Sequence, residues 1–288
     1  MNIFKKAQKF FKKDIWNRDG NSYAVLRIFS SAVGNFIKDK GLDKSSTLTF
    51  YTLLSIVPLF AIAFGIAQAM GFADILTEQI KTYLYSQPQI AEKLIQFSQT
   101  TLKSTKGDLI ASLGILTLFW TVLSTIGSVE SFFDDIWGTK GRTFFQKIKN
   151  FTPIIIIFPL LVVGPSSVIA FSSDISKNIP YLGPLINFAL SFGTYILNIG
   201  VLSLMYIYLP NTKVSWKAAF IAAVFTGIIF FIWQWIYITF QVKAVSYGVI
   251  YGSFAAIPLF LIWLNYSWLI MIFGARLSLE IQREEERE

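Results

Sequence analysis

The chain has no cysteine and no histidine in its 288 residues, and only 15% of them are charged. Without thiols there are no disulfides, thiolate nucleophiles, iron–sulfur ligands or zinc–thiolate sites. Without imidazoles there is no histidine general base, no Ser-His-Asp triad and no His-containing metal site. A carboxylate-only metal site would need clustered acids. Most hydrolase and nuclease chemistry is therefore excluded before any motif is considered.

The shortage of charge has its own consequence. An average soluble domain carries about 25% charged residues, whereas here 54% of residues are apolar and 17% aromatic. The charges also cluster between long apolar runs. This pattern predicts an all-α fold: a polytopic membrane bundle of six transmembrane helices with added interfacial amphipathic helices. The six expected spans are 47–70, 109–129, 151–171, 185–209, 216–240 and 250–275. In the third, Pro153, Pro159 and Pro165 recur every six residues, so a kinked or re-entrant segment is the alternative there. Three regions follow: a basic amphipathic segment over 1–46, the six-span domain over 47–275 with an external loop at 71–108, and a charged tail over 276–288. The amino-terminal lysines are not followed by an adjacent apolar run, so a signal peptide is not expected.

Orientation follows from the cations. With alternating sides, nineteen of the 25 Lys and Arg fall with the two termini and six fall opposite. Both termini are therefore expected in the cytoplasm of a bacterial inner membrane. The net charge of +8 becomes a basic cytoplasmic face, suited to anionic lipid headgroups. Nucleic acid is not expected as a partner, since no binding module for it is visible. An envelope protein partner remains open, as does the oligomeric state.

Two stretches before the first span carry apolar stripes at helical spacing: Phe4, Ala7, Phe11 and Ile15, then Leu26, Phe29, Val33 and Phe36. Each suits either a helix lying in the membrane interface or one packed on the protein itself. The external loop is too long to be structureless. Ile75, Ile80 and Leu84, and then Ile90, Leu94 and Phe97, suggest short helices that cap the bundle or rest on the outer interface. The tail beyond Glu280 is expected to carry the last helix into solvent.

No Asp, Glu, Lys or Arg lies near the middle of any expected span, which argues against ion-coupled transport. Uncharged polar groups are present instead. The candidate cavity-lining residues are Tyr51, Ser55, Pro58, Asn198, Gln234, Tyr251, Gly252, Ser253, Pro258 and Asn265. Pro58 and Pro258 would each free a carbonyl, at Leu54 and Phe254. Ordinary interhelical hydrogen bonding is the competing explanation for every one of them. Trp137, Arg142, Lys213 and Arg276 are the candidates at the cytoplasmic interface. No catalytic residue, metal ligand or cofactor is assigned. Small residues at Ala61, Gly65 and Ala69, and at Ala219, Ala223 and Gly227, mark faces for close helix approach within one chain or between two.

Four segments together resemble one family. They are Thr47-Leu-Thr-Phe-Tyr-Thr-Leu-Leu-Ser-Ile-Val-Pro58; Ser131-Phe-Phe-Asp-Asp-Ile-Trp-Gly138 with Arg142; Tyr206-Ile-Tyr-Leu-Pro-Asn-Thr-Lys213 with Trp216; and Tyr251-Gly-Ser-Phe-Ala-Ala-Ile-Pro258 with Trp263 and Phe273-Gly-Ala275. They are similar to the YihY/BrkB family of bacterial inner-membrane proteins, once mislabelled as ribonuclease BN. The chain departs from the family pattern at Arg276, where many members have an acid. The resemblance implies six spans and a role in the envelope, in some members linked to virulence or lipopolysaccharide precursor export. It implies no established reaction, and the ribonuclease label does not suit a chain without His or Cys. Three functions compete: lipid handling without ion coupling, facilitated movement of a small solute, and a scaffold that transports nothing.

Overall fold

In lipid, backbone N–H and C=O groups must be satisfied within the segment, so long apolar runs become helices. The computed structural model describes residues 21–83, 91–96, 100, 109–153, 183–246 and 256–287. Among these, every regular element is helical, and the chain is a membrane helical bundle. Its main helices are α1 (Asn21–Lys38), α2 (Gly41–Ala69), α3 (Ala73–Tyr83), α4 (Leu109–Trp137), α5 (Gly183–Tyr208), α6 (Trp216–Ser246) and α7 (Ala256–Glu285). Shorter helical stretches occupy 91–96 and 144–153.

Among the described residues, three helical segments are long and apolar enough to cross a bilayer: Leu116–Trp137, Trp216–Gln241 and Pro258–Glu285. The two halves of α2, Gly41–Ile56 and Pro58–Ala69, make a fourth if counted as one span. They meet at an angle of 43° at Pro58, where proline removes the bond to the Leu54 carbonyl. In α5 the apolar helix Tyr195–Tyr208 is shorter. The expected third span lies outside the described residues beyond position 153, and so does the stripe from Phe4 to Ile15.

Helix α7 packs against α6, α2, α1 and α4, and α5 packs on α6. Small side chains permit the closest of these contacts. Ala218, Ala219, Ala222 and Ala223 are fully buried on α6, and a Cβ at Gly227 would lie 3.2 Å from Ile199 of α5. That small-residue face is therefore used within the chain. At Gly274 of α7 a Cβ would fall 2.0 Å from the Tyr206 hydroxyl and 2.2 Å from Thr226 Oγ1, so α5, α6 and α7 meet there only because position 274 has no side chain. Large apolar side chains such as Phe220, Ile228, Ile232 and Trp235 point outward along α6, as a lipid-facing surface requires.

A second core joins the far half of α2 to the segment after it. Ala63, Phe64 and Ala67 pack with Leu76, Ile80, Ala91 and Ile95. In the expected external loop, the described helices therefore cap the bundle. Helix α1 rests on the protein as well. Phe29 meets Phe225 and Phe273 edge-on at 5.8 and 6.0 Å, and Phe36 meets Phe273 at 5.6 Å. Its Val25, Leu26 and Ile37 remain exposed.

Two helices run on past their expected ends. Helix α4 continues eight residues beyond Val129, through Glu130 and Asp134, and α7 continues ten beyond Ala275. The expectation that the tail extends into solvent is corrected here. Leu277, Leu279 and Ile281 are buried, and so are Arg276, Glu280 and Glu284. The charges are tolerated because each has a partner.

Candidate functional site

The site is assembled where the ends of α4, α5 and α7 meet the start of α6. Helix α4 stops at Gly138, whose φ of 67° suits a residue without Cβ, and Thr139 N–H reaches back to the Asp134 carbonyl at 2.9 Å. The turn that follows delivers Arg142 to Glu130. Arg142 Nη1 donates to Glu130 Oε1 at 2.8 Å and to the Leu209 carbonyl at 2.9 Å, while Nη2 donates to the carbonyls of Tyr208 and Pro210 at 3.0 and 3.2 Å. The Tyr208 carbonyl ends α5 and those of Leu209 and Pro210 follow it, where no further turn satisfies them and the negative end of the helix dipole lies. A planar, five-donor guanidinium meets all of these acceptors at once; an ammonium cannot. Its far face lies 5.9 Å from the centre of the Phe151 ring.

Glu130 is wholly buried, and its second oxygen pairs with Lys147 Nζ at 3.2 Å. Asp134 completes the junction by accepting from Asn211 N–H at 2.7 Å and Thr139 Oγ1 at 3.0 Å, and Asn211 Nδ2 donates to the Lys140 carbonyl at 2.9 Å. The start of α6 is held from the other side. Ser215 caps it, receiving Ala218 N–H at 3.5 Å. Its own N–H donates to Gln282 Oε1 at 2.8 Å and its hydroxyl to Glu285 Oε2 at 3.0 Å. The α5–α6 turn is thus pinned by Arg142 at one end and by the α7 tail at the other.

A second ion cluster joins α1 to α7. Arg276 pairs with Glu280 at 2.9 Å and with Asp39 at 3.1 Å, and also donates to the Ile136 carbonyl at 3.2 Å. Glu280 further accepts from Asn35 at 2.9 Å and Arg283 at 3.1 Å. Arg27 Nε donates to Glu284 at 3.0 Å.

Between α4 and the helical stretch 144–153 lies an open groove of about 440 Å³. Trp120, Leu123, Ser124, Gly127, Ser128 and Ser131 form one side of it, with Arg142, Phe144 and Lys147 on the other. The rings of Trp120 and Phe144 touch at 5.1 Å and both are substantially exposed. The groove therefore joins an aromatic wall to a rung of serines and two cations.

The candidates expected from sequence fall into two groups. Arg142 and Arg276 prove to be the centres of the two ion clusters. Trp137 is half-buried against the main core, and its indole N–H has no partner among the described residues. Lys213 is exposed and contributes its carbonyl, which accepts from Gln282 at 3.5 Å. The described candidates within the spans each have their own contacts. Tyr51 is half-buried beside Phe50, and buried Ser55 donates to the Thr52 carbonyl of its own helix at 3.1 Å. Gln234 accepts from Trp263 at 3.2 Å, and Asn265 donates to Ser46 and Thr49 at 3.1 and 3.4 Å. Asn198 and Pro258 are exposed, whereas Pro58 is buried at the bend of α2. Tyr251, Gly252 and Ser253 lie outside the described residues, as does Phe254. Glu130, Lys147, Glu280 and Gln282 were missed, although an acid ending a long apolar run with an arginine twelve residues later was a usable signal for the first.

The comparisons with known proteins point the same way as the motifs. The family model described as virulence factor BrkB matches residues 32–288. The chain belongs to the BrkB family. A BrkB-type relative named UPF0761 membrane protein, from Psychrobacter sp. (strain PRwf-1), is 31% identical over 257 residues, covering 85% of this chain and 46% of its own length. One of the same name from Mannheimia succiniciproducens is 27% identical, covering 87% of this chain and 88% of its own. Another from Acinetobacter baylyi is 30% identical, covering 84% of this chain and 59% of its own. The chain thus spans less than half of the Psychrobacter relative. No solved structure matches.

Proposed function

We propose that this BrkB-family chain handles lipid or a lipid-linked substrate in the bacterial inner membrane, without ion coupling, and so serves envelope maintenance. The observation that carries the reading is the groove beside α4. It is open, it lies where the charged helix ends gather, and it offers apolar, hydroxyl and cationic surface in sequence, as an amphipathic lipid requires. The charge count supports placing this end, with both termini, in the cytoplasm. A small-solute facilitator draws less support, because Asn198 is exposed while Gln234 bonds to Trp263 and Asn265 to Ser46 and Thr49. With neither cysteine nor histidine, the chain lacks the usual nucleophile–base pairs of an enzyme.

The test is reconstitution of the full chain into liposomes carrying a fluorescent phospholipid in both leaflets, with a quencher added outside. Lipid handling predicts that quenching runs past the outer-leaflet half at a rate protein-free vesicles do not reach. A plateau at that half, from folded protein, would favour the scaffold reading.

A further inference from the structure

The two cations of the groove are not equivalent. Both terminal nitrogens of Arg142 are engaged, on Glu130 and on three carbonyls at the end of α5. Among the described residues Lys147 makes one ion pair, to Glu130 Oε2, which occupies one of its three N–H donors, and about a quarter of its side chain is exposed. Gly127 seats it: a Cβ there would lie 3.2 Å from Nζ and 3.4 Å from Cδ of Lys147. Around it stand Ser124, Ser128 and Ser131, one turn apart or nearly so along α4; the Ser128 hydroxyl donates to the Ser124 carbonyl at 3.0 Å, so Ser124 and Ser131 are the hydroxyl donors at the groove surface. Ser124 and Ser131 are exposed. Neither Glu130 nor Asp134 lines the groove itself.

We propose that this groove is a binding site for the phosphodiester headgroup of an anionic phospholipid, read by Lys147 and the serine rung. The Trp120–Phe144 wall takes the glycerol and upper acyl region. Arg142 holds Glu130 and the α5 end in place and does not contact the lipid. Arg142 and Lys147 share the Glu130 carboxylate, and Asp134 beside them accepts from Asn211 and Thr139, so Lys147 is the cation left to meet a phosphodiester at the groove. A lipid headgroup fits better than a free anion because the groove is open and one of its walls is aromatic and exposed. The assignment rests on the lipid-handling reading, which it narrows to a class of lipid.

The experiment places the full chain in nanodiscs of equal phosphatidylcholine and phosphatidylglycerol, and native mass spectrometry counts the lipid retained. Wild type is expected to retain phosphatidylglycerol preferentially. Lys147→Gln should lower that preference about five- to tenfold, and Lys147→Arg should restore most of it. Lys149→Gln, on the same helical stretch but outside the groove, should leave it unchanged. Ser128→Leu fills the groove without touching an ion pair and should also abolish the preference, which covers the case of a misfolded Lys147 variant. Equal losses from Lys147→Gln and Lys149→Gln, or no headgroup preference in wild type, would overturn the site. Displacement by inorganic phosphate, but not by chloride at equal ionic strength, would assign the groove to a free anion and overturn the lipid. Lys147-dependent retention in a protein that moves no lipid between leaflets upholds the site and rejects the broader function. Movement that persists unchanged in Lys147→Gln does the reverse.

Discussion

Glu130 and Arg142 face each other at 2.8 Å, and the carboxylate is completely shielded from solvent. The arginine spends its remaining Nη contacts on the last carbonyls of α5, 66 to 68 residues away. One ion pair thus ties the end of α4 to the α5–α6 turn. A buried pair of this kind is weak as a source of net stability but costly to break from one side. Glu130→Ala leaves two cations uncompensated and should destabilise the protein by about 3–5 kcal/mol. Arg142→Lys keeps the charge but loses the fork, and should also destabilise, by about 1–3 kcal/mol. Thermal unfolding in detergent, followed by tryptophan fluorescence, measures both; unchanged midpoints would contradict the geometry.

At Gly274 the prediction concerns space. Gly274→Ala drives a methyl group into Tyr206 Oη and Thr226 Oγ1. The expected cost is about 1–3 kcal/mol. Adding Tyr206→Phe removes the nearer clashing atom, so the double variant should recover part of the loss. A double variant less stable than Gly274→Ala alone would show that the hydroxyl is not the obstacle.

Removing the tail from Glu280 onward should collapse the charged end, because Arg27, Asn35, Arg276 and Ser215 all lose partners. Lower expression and faster proteolysis are expected. Arg283→Gln, at a half-exposed side chain, should shift stability by no more than about 0.5 kcal/mol. Loss of function on deleting the tail would therefore not single out a scaffold.

Asn265→Leu breaks its contacts with Ser46 and Thr49. Interhelical bonds of this kind are worth about 0.6 kcal/mol in membranes. A small stability loss is expected, with lipid movement in liposomes unaltered. Abolished movement in a folded variant would place Asn265 on a transport path.

The fold class was legible because long uncharged runs leave few structures open to the chain, and the helical Phe29 and Phe36 spacing was legible in the same way. The tail was misjudged for a physical reason. Locally, Glu280 to Glu288 reads as a solvated charged helix, since the partners that bury Glu280 and Glu284 lie about 250 residues away in α1. Arg142 and Arg276 were singled out through motif resemblance; spacing links them to Glu130 and to Glu280 at i+4, but not to the carbonyls of Ile136 and of residues 208–210 or to Asp39, which complete their roles. The polar residues of the spans were visible one by one. Their pairing, as in Trp268 Nε1 to Thr52 at 2.9 Å, depends on helix packing and was not.

If the groove beside α4 opens on the cytoplasmic side and receives an anionic lipid, its surface is reached from one side of the membrane only. The absence of native cysteine makes one measurement direct: Ser128→Cys, labelled with a membrane-impermeant maleimide in oriented vesicles. The expected result is labelling in inside-out vesicles only, slowed when phosphatidylglycerol replaces phosphatidylcholine. Labelling confined to right-side-out vesicles, or labelling indifferent to the lipid, would contradict it.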